Sequence, residues 1–304
     1  MSNLSPIVLF VFNRPWHTQK TIEALQKNIL AAESELFIYS DGARGEQEDR
    51  QVLAVRDYIE KVDVFKRVTI IKRRENWGLA NSIIDGVTQI LDRYGKIIVL
   101  EDDLVTSPFF LKYMNDALEL YEKDEAVVSI HGYQYPLITS KNLPDTFLIK
   151  GSDCWGWATW SHGWSIFEPN GKKLLRELKS KSLCREANFN DSFNYVGMLK
   201  DQIKGKNDSW AVRWYMSTFL NNKLTLYPRE SMVQNIGNDN SGVHCGQTNL
   251  FFIENLADRP LFLNKIEPIK ENLAAKVAIE NYFKSINPGL LYKVWRKIIR
   301  RVYK

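Results

Sequence analysis

Cysteine is scarce in this sequence. Only Cys154, Cys184 and Cys245 occur among 304 residues, the count is odd, and no CxxC pair is present. That excludes a disulfide framework as the stabilising device, and a reducing cytoplasm is the expected setting. Long apolar runs are missing too. The N-terminal run at 7–12 has no basic segment before it and is too short for a signal peptide or a membrane span. Neither an internal repeat nor a low-complexity segment occurs, and no linker clearly separates two domains. An excess of charge of one sign is confined to the last fifteen residues. The net charge is +5, and 290–304 holds six Lys and Arg with no acid, so subtracting them leaves −1. A near-neutral body argues against a nucleic-acid-binding surface.

What is present is an ordinary soluble composition, 44% hydrophobic and 25% charged, enriched in aromatics at 12% with nine tryptophans. Flat rings stack on sugars and bases, and they also fill cores. The patterning alternates. Apolar runs at 6–12, 36–40, 67–72, 95–100 and 126–131 read as strands, and helical spacing covers 17–32, 47–62 and 79–94. Ser107 followed by Pro108 reads as the start of a helix reaching about 122. Such alternation predicts βαβ units in an α/β fold, with a mostly parallel sheet flanked by helices. The second half is less regular: Trp/Gly clusters at 154–164, helices near 172–181 and within 188–222, and a polar Gly/Asn-rich loop at 234–248.

Ligands of parallel sheets bind beyond the carboxyl ends of the strands. Three polar clusters fall there: Asn13-Arg14, Asp41-Gly42 and Glu101-Asp102-Asp103. Adjacent carboxylates after an apolar strand repel one another. A hard divalent cation, Mg²⁺ or Mn²⁺, would offset that repulsion and bridge the phosphates of a bound nucleotide. The alternative is an exposed acidic turn.

The pieces VLFVFNRP (8–15), YSDG (39–42), NWGLANS (76–82), VLEDDL (99–104), CWGWATW (154–160) and NDSW (207–210) together resemble GT-A glycosyltransferases. The similarity is to the branch of the Golgi N-acetylglucosaminyltransferase that begins complex N-glycans and to bacterial family 2-like sugar transferases, and it covers roughly 6–245. The resemblance implies a Rossmann-like GT-A sheet and metal-dependent, inverting transfer of a hexosyl or N-acetylhexosaminyl group from a nucleotide diphosphate sugar, a UDP-sugar. It places Arg14 at the phosphates, Asp41 on the base, and Asn76, Gly78 and Asn81 around the nucleotide. Glu101 and Asp102 would contact ribose or donor sugar, with Asp103 on the metal. Asp208 would be the general base, with Asp153 the second choice. Trp155, Gly156 and Trp157 would shape the sugar and acceptor pocket, and His244 would stand near metal or diphosphate. Plainer readings stand beside these: an ion pair for Arg14, a turn for Asp41, an N-cap for Asp208, core packing for the tryptophans, an incidental loop residue for His244.

The last element, 287–304, carries Leu291, Val294, Trp295, Ile298 and Val302 at helical spacing between its cations. That describes an amphipathic helix lying on a membrane surface, or one packed on the domain or on a protein. The expected organisation is a catalytic domain over 1–286, with a nucleotide half to about 131 and an acceptor half beyond, followed by this helix. The protein is expected to be cytoplasmic, peripheral on the inner face of the cell membrane, and to act on a glycan or lipid-linked acceptor in cell-surface polysaccharide assembly. Rival readings are a sugar-phosphate nucleotidyltransferase, which would carry a Gly-rich basic loop where Asn13-Arg14-Pro15 stands, and a non-catalytic carbohydrate-binding protein.

Overall fold

The computed structural model describes residues 4–137, 140–239 and 249–287. His244, Cys245 and the basic helix expected at the C-terminus lie outside them. The chain opens as β1 (Ile7–Val11), α1 (Pro15–Gln26), β2 (Glu35–Ser40), α2 (Glu46–Ile59), β3 (Arg67–Lys72), α3 (Leu79–Tyr94) and β4 (Lys96–Glu101). It continues through β5 (Leu104–Thr106), α4 (Phe110–Leu120), β6 (Val127–His131), β7 (Thr146–Lys150), β8 (Trp157–Trp160) and α5 (Ser161–Trp164). The rest is α6 (Gly171–Ser180), α7 (Cys184–Ala187), α8 (Tyr195–Ile203), α9 (Trp210–Leu220), β9 (Leu224–Pro228), β10 (Val233–Asn235) and α10 (Leu273–Ile286).

Eight strands form one sheet in the order β3-β2-β1-β4-β8-β6-β9-β7. The β3-β2-β1-β4 block is parallel, β8 runs against β4 and β6, β9 is parallel to β6, and β7 is an antiparallel edge. Six of the eight strands therefore point the same way, so the expected α/β class with a mostly parallel, helix-flanked sheet is the one observed. Continuous apolar strands follow from covering both faces. In β1, Ile7, Leu9 and Val11 enter one core while Val8 and Phe10 enter the other. α1 and α2 cover the first face with Ile22, Leu25, Val55 and Ile59, and α3 covers the second with Ile83, Val87 and Ile90.

Two expected boundaries move. α1 ends at Gln26 rather than near 32; Leu30 takes a positive φ of 77°, which a right-handed helix does not allow, and Asn28 ties the turn to its surroundings, donating to Thr106 Oγ1 (2.8 Å) and accepting from the Leu111 amide (2.9 Å). α4 begins at Phe110 rather than Pro108. The Ser107 hydroxyl donates to the Ala257 carbonyl (2.6 Å) and accepts from the Phe109 amide (3.2 Å), which holds 107–109 as a turn. Among the described residues no helix is long and apolar enough to cross a membrane.

After β3 the chain returns to the other side of β1, so the strand order reverses between β1 and β4. That reversal of strand order opens a crevice.

Candidate active site

A cleft of about 710 Å³ lies at the carboxyl ends of β1, β2 and β4. Arg14, Asp41, Asn76, Gly78, Glu101, Asp102 and Asp103 line one side, and Trp155 and Asp208 reach it from the second half. Nine of the fourteen expected site residues therefore meet in one place.

Glu101 ends β4 opposite Phe10 of β1, and Asp102 and Asp103 fill the turn into β5, both buried. Proline at the first position of α1 starts that helix directly after Arg14. The Arg14 guanidinium consequently donates to the Asp102 carboxylate and to Asp103 Oδ2 (3.0 Å). Thr21 Oγ1 donates to the Asp102 carbonyl (2.8 Å), and the Ile236 amide to the Asp103 carbonyl (2.8 Å). Gly237 presses on this pair: a Cβ there would lie 2.1 Å from Asp103 Oδ2 and 2.9 Å from Arg14 Nη1. Only glycine leaves room for that ion pair. His17, at the start of α1, meets Asp239 Oδ2 at 3.1 Å beside it.

Three carboxylates share one guanidinium, and the electrostatics register the excess. Burial, then repulsion from Asp103 and Asp102, pushes Glu101 up to about 8, against the pull of Arg14. Burial also raises Asp102, with Arg14 opposing. Burial works against the Arg14 charge, yet Asp102 and Asp103 hold it more firmly protonated than usual. No group of three His, Cys, Asp or Glu is arranged around a metal position among the described residues. The donor set itself is all oxygen with surplus negative charge, which fits Mg²⁺ or Mn²⁺ and not a thiolate-seeking ion.

At the other end of the cleft, Asp41 is fully engaged. Oδ1 accepts from the amides of Gly42 (2.9 Å) and Trp77 (2.8 Å), and Oδ2 from Asn76 Nδ2 (3.1 Å) and the Gly78 amide (3.0 Å). Four donors fill the four acceptor positions of a carboxylate. Asp41 thus builds the 76–78 loop while still bordering the cleft. Gly78, at φ +74, turns that loop into α3. Asn81 donates to the Trp77 carbonyl (2.9 Å) from the exposed side of α3 and is not part of the cleft lining. Arg73 stacks its guanidinium 3.6 Å from the Trp77 ring centroid, stiffening the same loop.

On the far side, Asp208 precedes α9 with its side chain 58% exposed and 3.4 Å from Arg213 Nη2. It does not cap the helix. Ser209 does, its side chain accepting from the Val212 amide (3.2 Å). Trp155 stands edge-on to Tyr133 (4.7 Å) and Phe251 (5.7 Å) and turns into the cleft. Gly156 and Trp157 do not line it. Gly156, at φ +63, packs where a Cβ would lie 2.7 Å from Val233 Cγ2. Trp157 is buried in the second core among Trp164, Trp210 and Trp214.

Asp153 is also absent from the lining. Its carboxylate accepts from the Tyr135 hydroxyl (2.6 Å) and the Cys154 amide (2.8 Å), 3.8 Å from His131. Burial lowers His131 to about 4, with Asp153 opposing. Lining residues that sequence reasoning did not assign to the site include Arg44, Gln202, Lys206 and Asn235. Arg44 could have been found, as a base two residues beyond the Asp41-Gly42 turn. The others come from the end of α8, the loop after it and β10, distant parts of the chain.

No family model matches the chain, and no curated protein matches it in sequence. Among solved structures it is similar to the mannosyltransferase PcManGT from Pyrobaculum calidifontis in complex with GDP-Man and Mn2+, at 13% identity and a TM-score of 0.36, over 58% of this chain and 47% of that one. A UDP-glucose pyrophosphorylase complexed with UDP-glucose is similar at 12% identity and a TM-score of 0.36, over 74% of this chain and 90% of that one. S. aureus TarS is similar at 14% identity and a TM-score of 0.31, over 49% of this chain and 25% of that one. The chain thus spans about half the length of the mannosyltransferase.

Proposed function

We propose that this chain is a GT-A-type glycosyltransferase that moves a sugar from a nucleotide diphosphate donor, a UDP-sugar, to a hydroxyl of a glycan or lipid-linked glycan. The observation that carries the reading is the meeting of Arg14 and the Glu101-Asp102-Asp103 triplet with the Asp41-built loop on one side of the cleft and Asp208 and Trp155 on the other. Nucleotide and acceptor would enter from opposite sides of the strand-order reversal.

In this reading Asn76 and Gly78 flank the nucleoside, with Asn81 behind them. Arg14 faces the diphosphate, and Glu101 and Asp102 face ribose and donor sugar. Asp103 would hold Mn²⁺ or Mg²⁺, which supplies charge compensation for the departing diphosphate. His244 would join it. The acceptor oxygen attacks the anomeric carbon while the bond from that carbon to the diphosphate oxygen breaks. The acceptor proton passes to Asp208, and one displacement inverts the centre. Asp208 is favoured over Asp153 because it borders the cleft, whereas Asp153 already serves Tyr135 and Cys154. Trp155, held edge-on by Tyr133 and Phe251, offers an aromatic ring to a sugar. Residues 1–286 form the catalytic unit, and 288–304 rests on the inner face of the cell membrane, where a lipid-linked acceptor for surface polysaccharide would lie.

Thermal unfolding of the full chain with nucleoside diphosphates and Mn²⁺ tests the proposal. UDP with Mn²⁺ is expected to raise Tm for the native chain and not for Asp103→Ala. Indifference to every nucleoside diphosphate would overturn it.

A further inference from the structure

A second depression lies across α8 from the cleft. Lys172, Leu175, Arg176 and Lys179 of α6 and Ile203 at the end of α8 line it, enclosing about 280 Å³. Lys172, Arg176 and Lys179 are spaced four and three residues apart, which brings them onto one face of the helix. All three are exposed, and among the described residues none has a carboxylate partner. Their neighbours differ: Lys173 holds Glu168, Lys181 holds Glu177, Arg185 meets Asp191 and Lys206 meets Asp201. Like charges at this spacing repel weakly, and a facing anion would relieve that repulsion.

The lining also says which kind of anion. It has no aromatic ring, amide or carboxylate side chain, the groups that grip a sugar. It has three cations around an aliphatic floor of Leu175 and Ile203, both half-buried with an open edge. Cations beside aliphatic surface match a layer whose phosphates lie next to hydrocarbon. The groove is also coupled to the cleft. Gln202 and Gly205 line the cleft while Ile203 lines the groove. The start of α6 is packed so tightly here that a Cβ on Gly171 would lie 2.4 Å from Gln202 Oε1 and 3.1 Å from Ile203 Cγ1.

We infer that the α6–α8 face is a docking surface for an anionic phospholipid bilayer, separate from the C-terminal basic segment, and that it brings the 205–208 side of the cleft to the membrane. The inference rests on the groove and not on the identity of the donor.

Partitioning of the full chain onto vesicles tests it, with equal parts phosphatidylglycerol and phosphatidylcholine against phosphatidylcholine alone. Each cation held at an anionic leaflet contributes a factor of about five. The triple variant Lys172→Gln, Arg176→Gln, Lys179→Gln should therefore lose at least about tenfold in partitioning, with an unchanged melting curve. A control with the same change in net charge, Lys173→Gln, Lys181→Gln, Arg185→Gln, should stay within about twofold of the native chain. Equal losses in both variants, no loss in the first, or native binding that ignores phosphatidylglycerol would each overturn the inference. Displacement from vesicles by inorganic phosphate at constant ionic strength would do so too, by revealing a pocket for the free ion.

Discussion

The two halves of the molecule present their polar groups in different ways. From β1 to β4, every functional group sits at a strand end. Arg14 follows β1, Asp41 follows β2, and the triplet follows β4, and parallel pairing forces these ends to one edge. Beyond β5 the groups come from loops and aromatic packing: Trp155 from the turn before β8, Asp208 from the turn before α9, Asn235 from the end of β10. In the first half topology alone gathers the site. In the second half a residue joins the cleft only if the packing behind it aims it there, as the contrast between Trp155 and Trp157, two residues apart, demonstrates.

The sharpest division between the halves is between binding and chemistry. If the second half supplies the base, Asp208→Asn should lower kcat by about 10²- to 10⁴-fold. Stabilisation by UDP with Mn²⁺ should remain, since the nucleotide side is untouched. Steady-state kinetics beside thermal unfolding reads both, and a variant that retains kcat would move the base elsewhere, with Asp153 next in line.

The two tryptophans come next. Trp157→Ala removes a ring stacked 5.3 Å from Trp210 and should cost about 3–5 kcal/mol in denaturant unfolding. Trp155→Ala should cost much less stability and instead raise the acceptor KM. Similar stability losses for the two would erase the distinction drawn between cleft and core.

The smallest effect concerns pH. Folding raises Glu101 from 4.5 to about 8, so between those values the folded chain holds more protons than the unfolded one. Its contribution to stability is present at low pH and is lost as pH rises towards 8. Glu101→Gln should flatten that decline in Tm from about pH 5 to pH 8, measured without nucleotide or metal. An unchanged slope would show that the triplet's charge excess is already neutralised within the chain.

Much of the first half could be read in advance because its patterns are local. Strand β3 and helix α3 fall where the apolar spacing predicts them, and β4 runs into the triplet as expected. Asp41 shows the limit. Its position was evident, yet its role turned on where Asn76, Trp77 and Gly78 fold back, more than thirty residues away. The helix start expected at Pro108 and the N-cap reading of Asp208 failed for a related reason. Ser107 satisfies a distant carbonyl at Ala257, while Ser209 rather than Asp208 has the geometry to accept the Val212 amide.

By itself, then, the sequence determined the α/β class, the strand ends that carry charge, and the acidic triplet after β4, because hydrophobic period and polar punctuation are properties of neighbouring residues. Only the tertiary structure decided that Arg14 clasps Asp102 and Asp103 under Gly237, that Asp208 and not Asp153 borders the cleft, and that Lys172, Arg176 and Lys179 have no carboxylate partner among the described residues. Those outcomes depend on which distant surfaces touch, and contact across the fold sets burial, charge compensation and the room beside a glycine.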